Sequence, residues 1–114
     1  MKTLFITILL FLSSFNSFAE PMKPVVESLL GSMTSPEGVR IQVRSSGCTW
    51  KNSFVVHKES SGSVTLLTFV RVDFDPCLAL YYYGQELNYS YEELGLQPHE
   101  TFMIRNPTTF SVAR

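Results

Sequence analysis

Residues 64–84 read VTLLTFVRVDFDPCLALYYYG. The opening run, Val64 to Val72, is the longest β-rich stretch of the chain. Val64, Leu66, Val70 and Val72 fall on one face and Leu67 and Phe69 on the other, so both faces are partly buried and the strand is expected to be central. Pro76 has no N–H to give to a ladder, so the strand must end at or before Asp75. Leu78 to Tyr83 then reads as a returning strand that turns at Gly84-Gln85 into Leu87-Asn88-Tyr89.

Working outward from this run, the same period of two recurs. Val39, Ile41 and Val43 alternate with Arg40, Gln42 and Arg44, which describes a half-buried strand with a cationic outer side. Phe54 to Lys58 is another strand, and the cluster Glu59-Ser60-Ser61-Gly62-Ser63 is the kind that joins hairpin strands. Ser90 with Glu93 three residues on forms a capping box and Gly95 suits a helix end, so one helical turn is expected there. Thr101 to Arg105 is a strand closed by Asn106-Pro107, and Phe110 to Val112 a last short one. The expected fold is all-β: a small antiparallel β-sandwich or barrel of six to seven short strands, with one disulfide and a one-turn helix.

The N-terminus sets the compartment. Lys2 precedes an apolar run from Leu4 to Leu12, and Ser17-Phe18-Ala19 places small residues for cleavage after Ala19. That is a signal peptide over residues 1–19, too short and too interrupted for the roughly 20 apolar residues of a membrane span. Residues 20–38 form a lead-in broken by Pro21, Pro24 and Pro36. Val25, Val26, Leu29 and Leu30 give it helical spacing, so it reads as a short helix or a loosely docked arm. Residues 39–114 form the β-domain. The expected localisation is secreted or periplasmic, with no stable membrane insertion after signal cleavage.

The chain carries 9 Lys+Arg against 10 Asp+Glu, a net charge of −1, with no two basic residues adjacent. Such a balance offers no electrostatic footprint for nucleic acid. Cys48 and Cys77 are the only cysteines. In an oxidising compartment an even count reads as a disulfide. Closing a loop of about 30 residues contributes roughly 3–4 kcal/mol, a large share of a small domain's stability. A zinc site built from both thiolates with His57 and His99 is disfavoured because no compact ligand spacing is present.

Three constellations could carry chemistry. Asp73 and Asp75 lie on one side of an extended segment, but calcium needs about six to eight oxygens, so Asp75-Pro76 reads instead as the turn leading into the disulfide. The Asp pair could also meet the Arg40/Arg44 side across a strand pair. His57 and His99 have no designated nucleophile or orienting partner, and no Gly-x-Ser-x-Gly elbow occurs, so no enzyme is expected. The tyrosines are the remaining candidates. Tyr81 and Tyr83 share one face of a strand and, with Tyr89 or Tyr91, could form an exposed aromatic platform. Leu78 and Leu80 are in phase with Tyr82, which places Tyr82 inward. Trp50 is expected to pack against the disulfide.

The functional expectation is a non-enzymatic binding module for a protein or glycan partner. A hydrolase inhibitor, using loops held rigid by the disulfide, is one version. The alternative is a small structural or envelope protein with no ligand of its own. No cofactor and no metal are expected.

Overall fold

The computed structural model describes residues 22–109. The signal-peptide reading of residues 1–19 and the strand expected at Phe110 to Val112 lie outside the described residues. Among the described residues seven strands form: β1 Val25–Val26, β2 Gly31–Ser35, β3 Gly38–Val43, β4 Phe54–Ser61, β5 Val64–Arg71, β6 Gln85–Ser90 and β7 Phe102–Ile104. A 3-10 turn, Lys51–Ser53, precedes β4. The fold is all-β, as the alternation predicts.

The strands make two sheets that face each other as a sandwich. In the first, β5 is central, with β4 antiparallel along one side. The other side of β5 is shared end to end: β1 pairs antiparallel with Val70 and Arg71, and β7 pairs parallel with Thr65 to Leu67. The gap between β1 and β7 is spliced by a side chain. The Phe69 N–H donates to Asn106 Oδ1 at 2.8 Å, and Asn106 Nδ2 donates to the carbonyls of Phe69 at 2.7 Å and Glu27 at 2.8 Å. The Asn106 amide thus does the work of a peptide unit: it satisfies the Phe69 N–H and the Glu27 carbonyl, and adds a second donor to the Phe69 carbonyl, which also accepts from the Glu27 N–H.

The second sheet runs β2-β3-β6, all antiparallel. Val39, Ile41 and Val43 of β3 point inward beside Leu87 and Tyr89 of β6, and meet Leu67 and Phe69 of β5 from the first sheet. The Phe69 and Tyr89 rings pack 5.2 Å apart across the core. Leu29, Leu94 and Leu96 close it.

Three expectations are corrected. The helix suggested by Val25, Val26, Leu29 and Leu30 does not form: the valines pair with β5, and Gly31–Ser35 adds an edge strand to β3. Short apolar runs do not distinguish helix from strand by spacing alone, and here the open side of β5 decides. The capping box at Ser90 and Glu93 does form, with Ser90 N–H donating to the Glu93 carboxylate and Glu93 N–H to the Ser90 hydroxyl, but it closes a series of turns rather than a helix. Leu78 to Tyr83 joins no sheet. It belongs to a crossover instead.

The connections sort to the two ends of the sandwich. At one end, residues 27–30, 44–53 and 72–84 each carry the chain from one sheet to the other. At the opposite end lie the Pro36-Glu37 hairpin turn, the Gly62-Ser63 turn and the crossover 91–101.

Candidate functional site

Two of the crossovers at the first end, 44–53 and 72–84, are clamped to each other. Cys48 and Cys77 are bonded, with Cα atoms 5.5 Å apart. Beside them the Asp75 carboxylate accepts hydrogen bonds from the N–H groups of Ser46 at 2.7 Å, Cys48 at 3.2 Å and Cys77 at 3.1 Å, and from the Thr49 hydroxyl at 2.6 Å. Desolvation pushes the Asp75 carboxyl upward, but the bonds from Thr49, Ser46, Cys77 and Cys48 outweigh it and hold the group far below its ordinary value of 3.8. The reading of Asp75-Pro76 as a structural turn at the disulfide is supported by this geometry. Asp75 does not meet the Arg40/Arg44 side: Arg40 turns to Asn88 and Glu86.

The clamp continues inward through polar groups that the sequence does not single out. The Thr49 hydroxyl, while donating to Asp75, accepts from Arg71 at 3.1 Å. Arg71 grips Glu27 with two nitrogens, at 2.8 and 3.2 Å, and donates to the Arg44 carbonyl at 2.8 Å. Its guanidinium also lies 4.8 Å from the centre of the Phe54 ring. A buried charge needs such a full set of partners. The only sequence signal for this network is an arginine at the end of an otherwise apolar strand.

The disulfide also sets the phase of the residues after Cys77. Cys77 faces Cys48, and Ala79 and Tyr81, though both exposed, lie on that same side. The Ala79 N–H donates to the Ser46 carbonyl at 2.8 Å, and the Ala79 and Tyr81 side chains lie against Gly47. Leu78, Leu80 and Tyr82 must therefore face outward, and they are 97, 81 and 84% exposed. This overturns the expectation that Tyr82 points inward, whereas Tyr81 and Tyr83 are both exposed, as expected. Tyr81 is the least exposed of the three tyrosines at 47%, while Tyr83 is exposed. At the loop's far end the Gln42 amide holds the Tyr83 carbonyl, and Gly84, at φ 74°, lies so close to the Val43 carbonyl that a Cβ could not be accommodated.

The four candidate tyrosines are therefore not one platform. Tyr81 and Tyr83 sit on the crossover. Tyr89 is a core residue, its hydroxyl without a hydrogen-bond partner among the described residues. Tyr91 lies at the other end, its hydroxyl donating to the Ser35 carbonyl and its ring against Phe102. Trp50 is mostly exposed and does not bury itself on the disulfide. His57 and His99 are both exposed.

The first end presents a row of large apolar side chains, Leu78, Leu80 and Tyr82, flanked by exposed Phe74 and Tyr83. Beneath it lies an open cleft of about 600 Å³ between Phe74, Leu80, Tyr81 and Tyr82 on one side and Arg44 and Arg71 on the other. Among the described residues, the one group of potential metal ligands close enough to share an ion is Cys48, Asp75 and Cys77, within 4.8 Å of one another. Their sulfurs are bonded together and the Asp75 oxygens are taken by backbone and hydroxyl donors.

Fold and site together define a disulfide-clamped all-β sandwich domain that displays an apolar crossover loop. No family model matches the chain, and no significant match is found among curated proteins or solved structures.

Proposed function

We propose that this is a secreted or periplasmic, non-enzymatic binding module whose docking element is the crossover loop 72–84, and that its partner is a protein with an apolar groove. The observation that carries the reading is the outward row Leu78, Leu80 and Tyr82 on a backbone pinned by Cys48–Cys77 and Asp75. Soluble domains seldom leave contiguous large apolar side chains in water without a use for them. Burying each would contribute about 1.5–3 kcal/mol, and a pre-ordered loop spares part of the entropy lost on association. Leu78 and Leu80 stand among the aromatic side chains Phe74, Tyr82 and Tyr83, and this mixture favours a protein groove over a sugar, whose stacking calls for a continuous aromatic face. A loop that enters the active-site cleft of a hydrolase is one form such an interaction takes.

Two further features fit. Among the described residues no helix is long and apolar enough to cross a membrane, and the cysteines are paired, which suits an oxidising compartment. The strongly depressed carboxyl, Asp75, spends its oxygens on the backbone of its own loop at Cys77 and of the crossover 44–53 at Ser46 and Cys48.

The test compares the full chain with L78S/L80S as bait in the secreted or periplasmic fraction of its own source, followed by binding measurements on any captured protein. These substitutions should leave the melting temperature within experimental error and weaken the measured affinity at least tenfold. Unaltered affinity would refute the role of the loop and leave the structural-protein alternative.

A further inference from the structure

The opposite end of the sandwich holds a second cleft, of about 810 Å³, between the Pro36 hairpin turn and the crossover 91–101. The eight residues of β5 separate it from the docking loop, about 25 Å at roughly 3.3 Å per residue. Its size falls within the range of about 300–1,000 Å³ that suits small ligands.

Two aromatic rings form part of its wall. Tyr91 and Phe102 meet edge to face, 5.9 Å between ring centres, and the Tyr91 hydroxyl is tied to the Ser35 carbonyl. The crossover is tied to β5 and to itself by Glu100, whose two oxygens accept from the Thr65 hydroxyl at 2.6 Å and the Gln97 N–H at 2.7 Å. Beside it His99 takes φ 67°, a left-handed conformation that non-glycine residues rarely adopt.

The groups left free are informative. The side chains of Glu92, Gln97 and His99 line the cleft, and none has a hydrogen-bond or ion-pair partner among the described residues. They are a carboxylate, a carboxamide and an imidazole: planar groups that between them accept and donate. Among the described residues, no lysine or arginine lines the cleft. Lys58 lies behind it, with its ammonium donating to the Gly95 carbonyl at 2.6 Å.

We propose that this cleft binds a neutral glycan. A pyranose ring has an apolar C–H face that fits an aromatic wall, and a rim of hydroxyls that fits planar polar groups able to donate and accept. Glu92 and Glu100 in the lining would repel uronic or sialic acids, and the Lys58 ammonium behind Gly95 would offset only part of that repulsion. The site differs in kind from the docking loop, where exposed leucines stand among Phe74, Tyr82 and Tyr83 on an outward surface. The two readings are independent. If both hold, the domain joins a protein at one end to a sugar at the other.

The experiment is an amide-shift titration of the disulfide-bonded full chain by NMR. The probes are neutral di- and trisaccharides of glucose, galactose, mannose and N-acetylglucosamine, with glucuronic acid and N-acetyl-lysine methylamide alongside. The expected result is saturable shifts at Tyr91, Gln97, His99 and Phe102 with at least one neutral sugar, with Leu78 to Tyr83 unmoved. Q97A/H99G should weaken that binding about tenfold, the loss of one to two good hydrogen bonds, while leaving urea unfolding unchanged. Replacing His99 with glycine also relieves the left-handed backbone, so loss of fold would not explain loss of binding. Three outcomes would overturn the proposal: no saturable shift with any neutral sugar, binding of the lysine derivative or glucuronic acid in place of neutral sugars, or shifts indifferent to the double substitution.

Discussion

Replacing Asp75 with asparagine removes one negative charge and almost no volume. The carboxylate accepts from three backbone N–H groups and from the hydroxyls of Thr49 and Ser45, at 2.6–3.3 Å. A hydrogen bond to a charged group contributes about 1.5–3 kcal/mol net, so five would suggest roughly 8–15 kcal/mol. That sum is too large here, because the site is only part-buried and the disulfide keeps the two segments together when the bonds are lost. Asparagine also retains one oxygen that can accept. The expected loss at neutral pH is about 3 kcal/mol, the strength of one to two such bonds. The pH profile supplies a second readout. With the folded carboxyl depressed below its ordinary value of 3.8, the ionised group stabilises the fold fully above the carboxylate range, and that contribution drains away as pH falls below about 3.8 toward the folded value. Urea unfolding of wild type and Asp75→Asn should therefore differ most at pH 7 and converge in acid. Amide exchange at Ser46, Cys48 and Cys77 should accelerate in the variant. A difference under about 0.5 kcal/mol at pH 7, the usual scatter of surface substitutions, would refute the clamp.

Asn106→Ala strips buried partners from Phe69 and Glu27 and should cost about 2–4 kcal/mol in chemical denaturation, with Asn106→Asp at least as costly because a carboxylate would face two carbonyls. Tyr89→Phe removes a buried hydroxyl that has no partner among the described residues and should be neutral or stabilising by up to about 1 kcal/mol. Burial first, and the charge of Glu93 second, push the Tyr89 phenol from 10.0 up to about 12, so wild-type stability should decline as pH rises from 10 toward 12, and the phenylalanine variant should lack that part of the decline in alkaline melts. Joint replacement of Cys48 and Cys77 by alanine should lower stability by about 3–4 kcal/mol, checked by melting under identical buffer.

The strands with clean alternation are legible in the sequence: β3, β4 and β5 follow from Val39 to Val43, Phe54 to Lys58 and Val64 to Val72. The central place of β5 follows from apolar residues on both of its faces. The disulfide follows from the cysteine count. The crossover 72–84 is deceptive because a preference of leucine for the core points Leu78 and Leu80 the wrong way; exposed leucines are common and burial is a one-way rule. The better signal is at Cys77: a bonded cysteine must face its partner, so Leu78 beside it is turned away, and the segment 78–83 pairs with no strand that would cover Leu80 or Tyr82. The edge strand β2, Gly31-Ser-Met-Thr-Ser35, has little strand signal of its own and exists because β3 offers it a partner. Arg71 and Asn106 are invisible in the sequence as network centres, since their roles depend on groups that only the fold brings near.

The splice at Asn106 also bears on how the domain reaches its final form. It joins Glu27 to a residue 79 positions later, and Leu29 exchanges backbone bonds with Pro107 and Thr109 on the same side of the sheet. Closure of the longer side of β5 therefore waits on contacts of large sequence separation, which are entropically slow to form. The β4–β5 hairpin, whose register is local, can form while that side is still bare. Until residues 102–109 arrive, Thr65, Leu66, Leu67 and Phe69 present an unpaired edge of an apolar strand, the kind of surface on which partly folded chains associate.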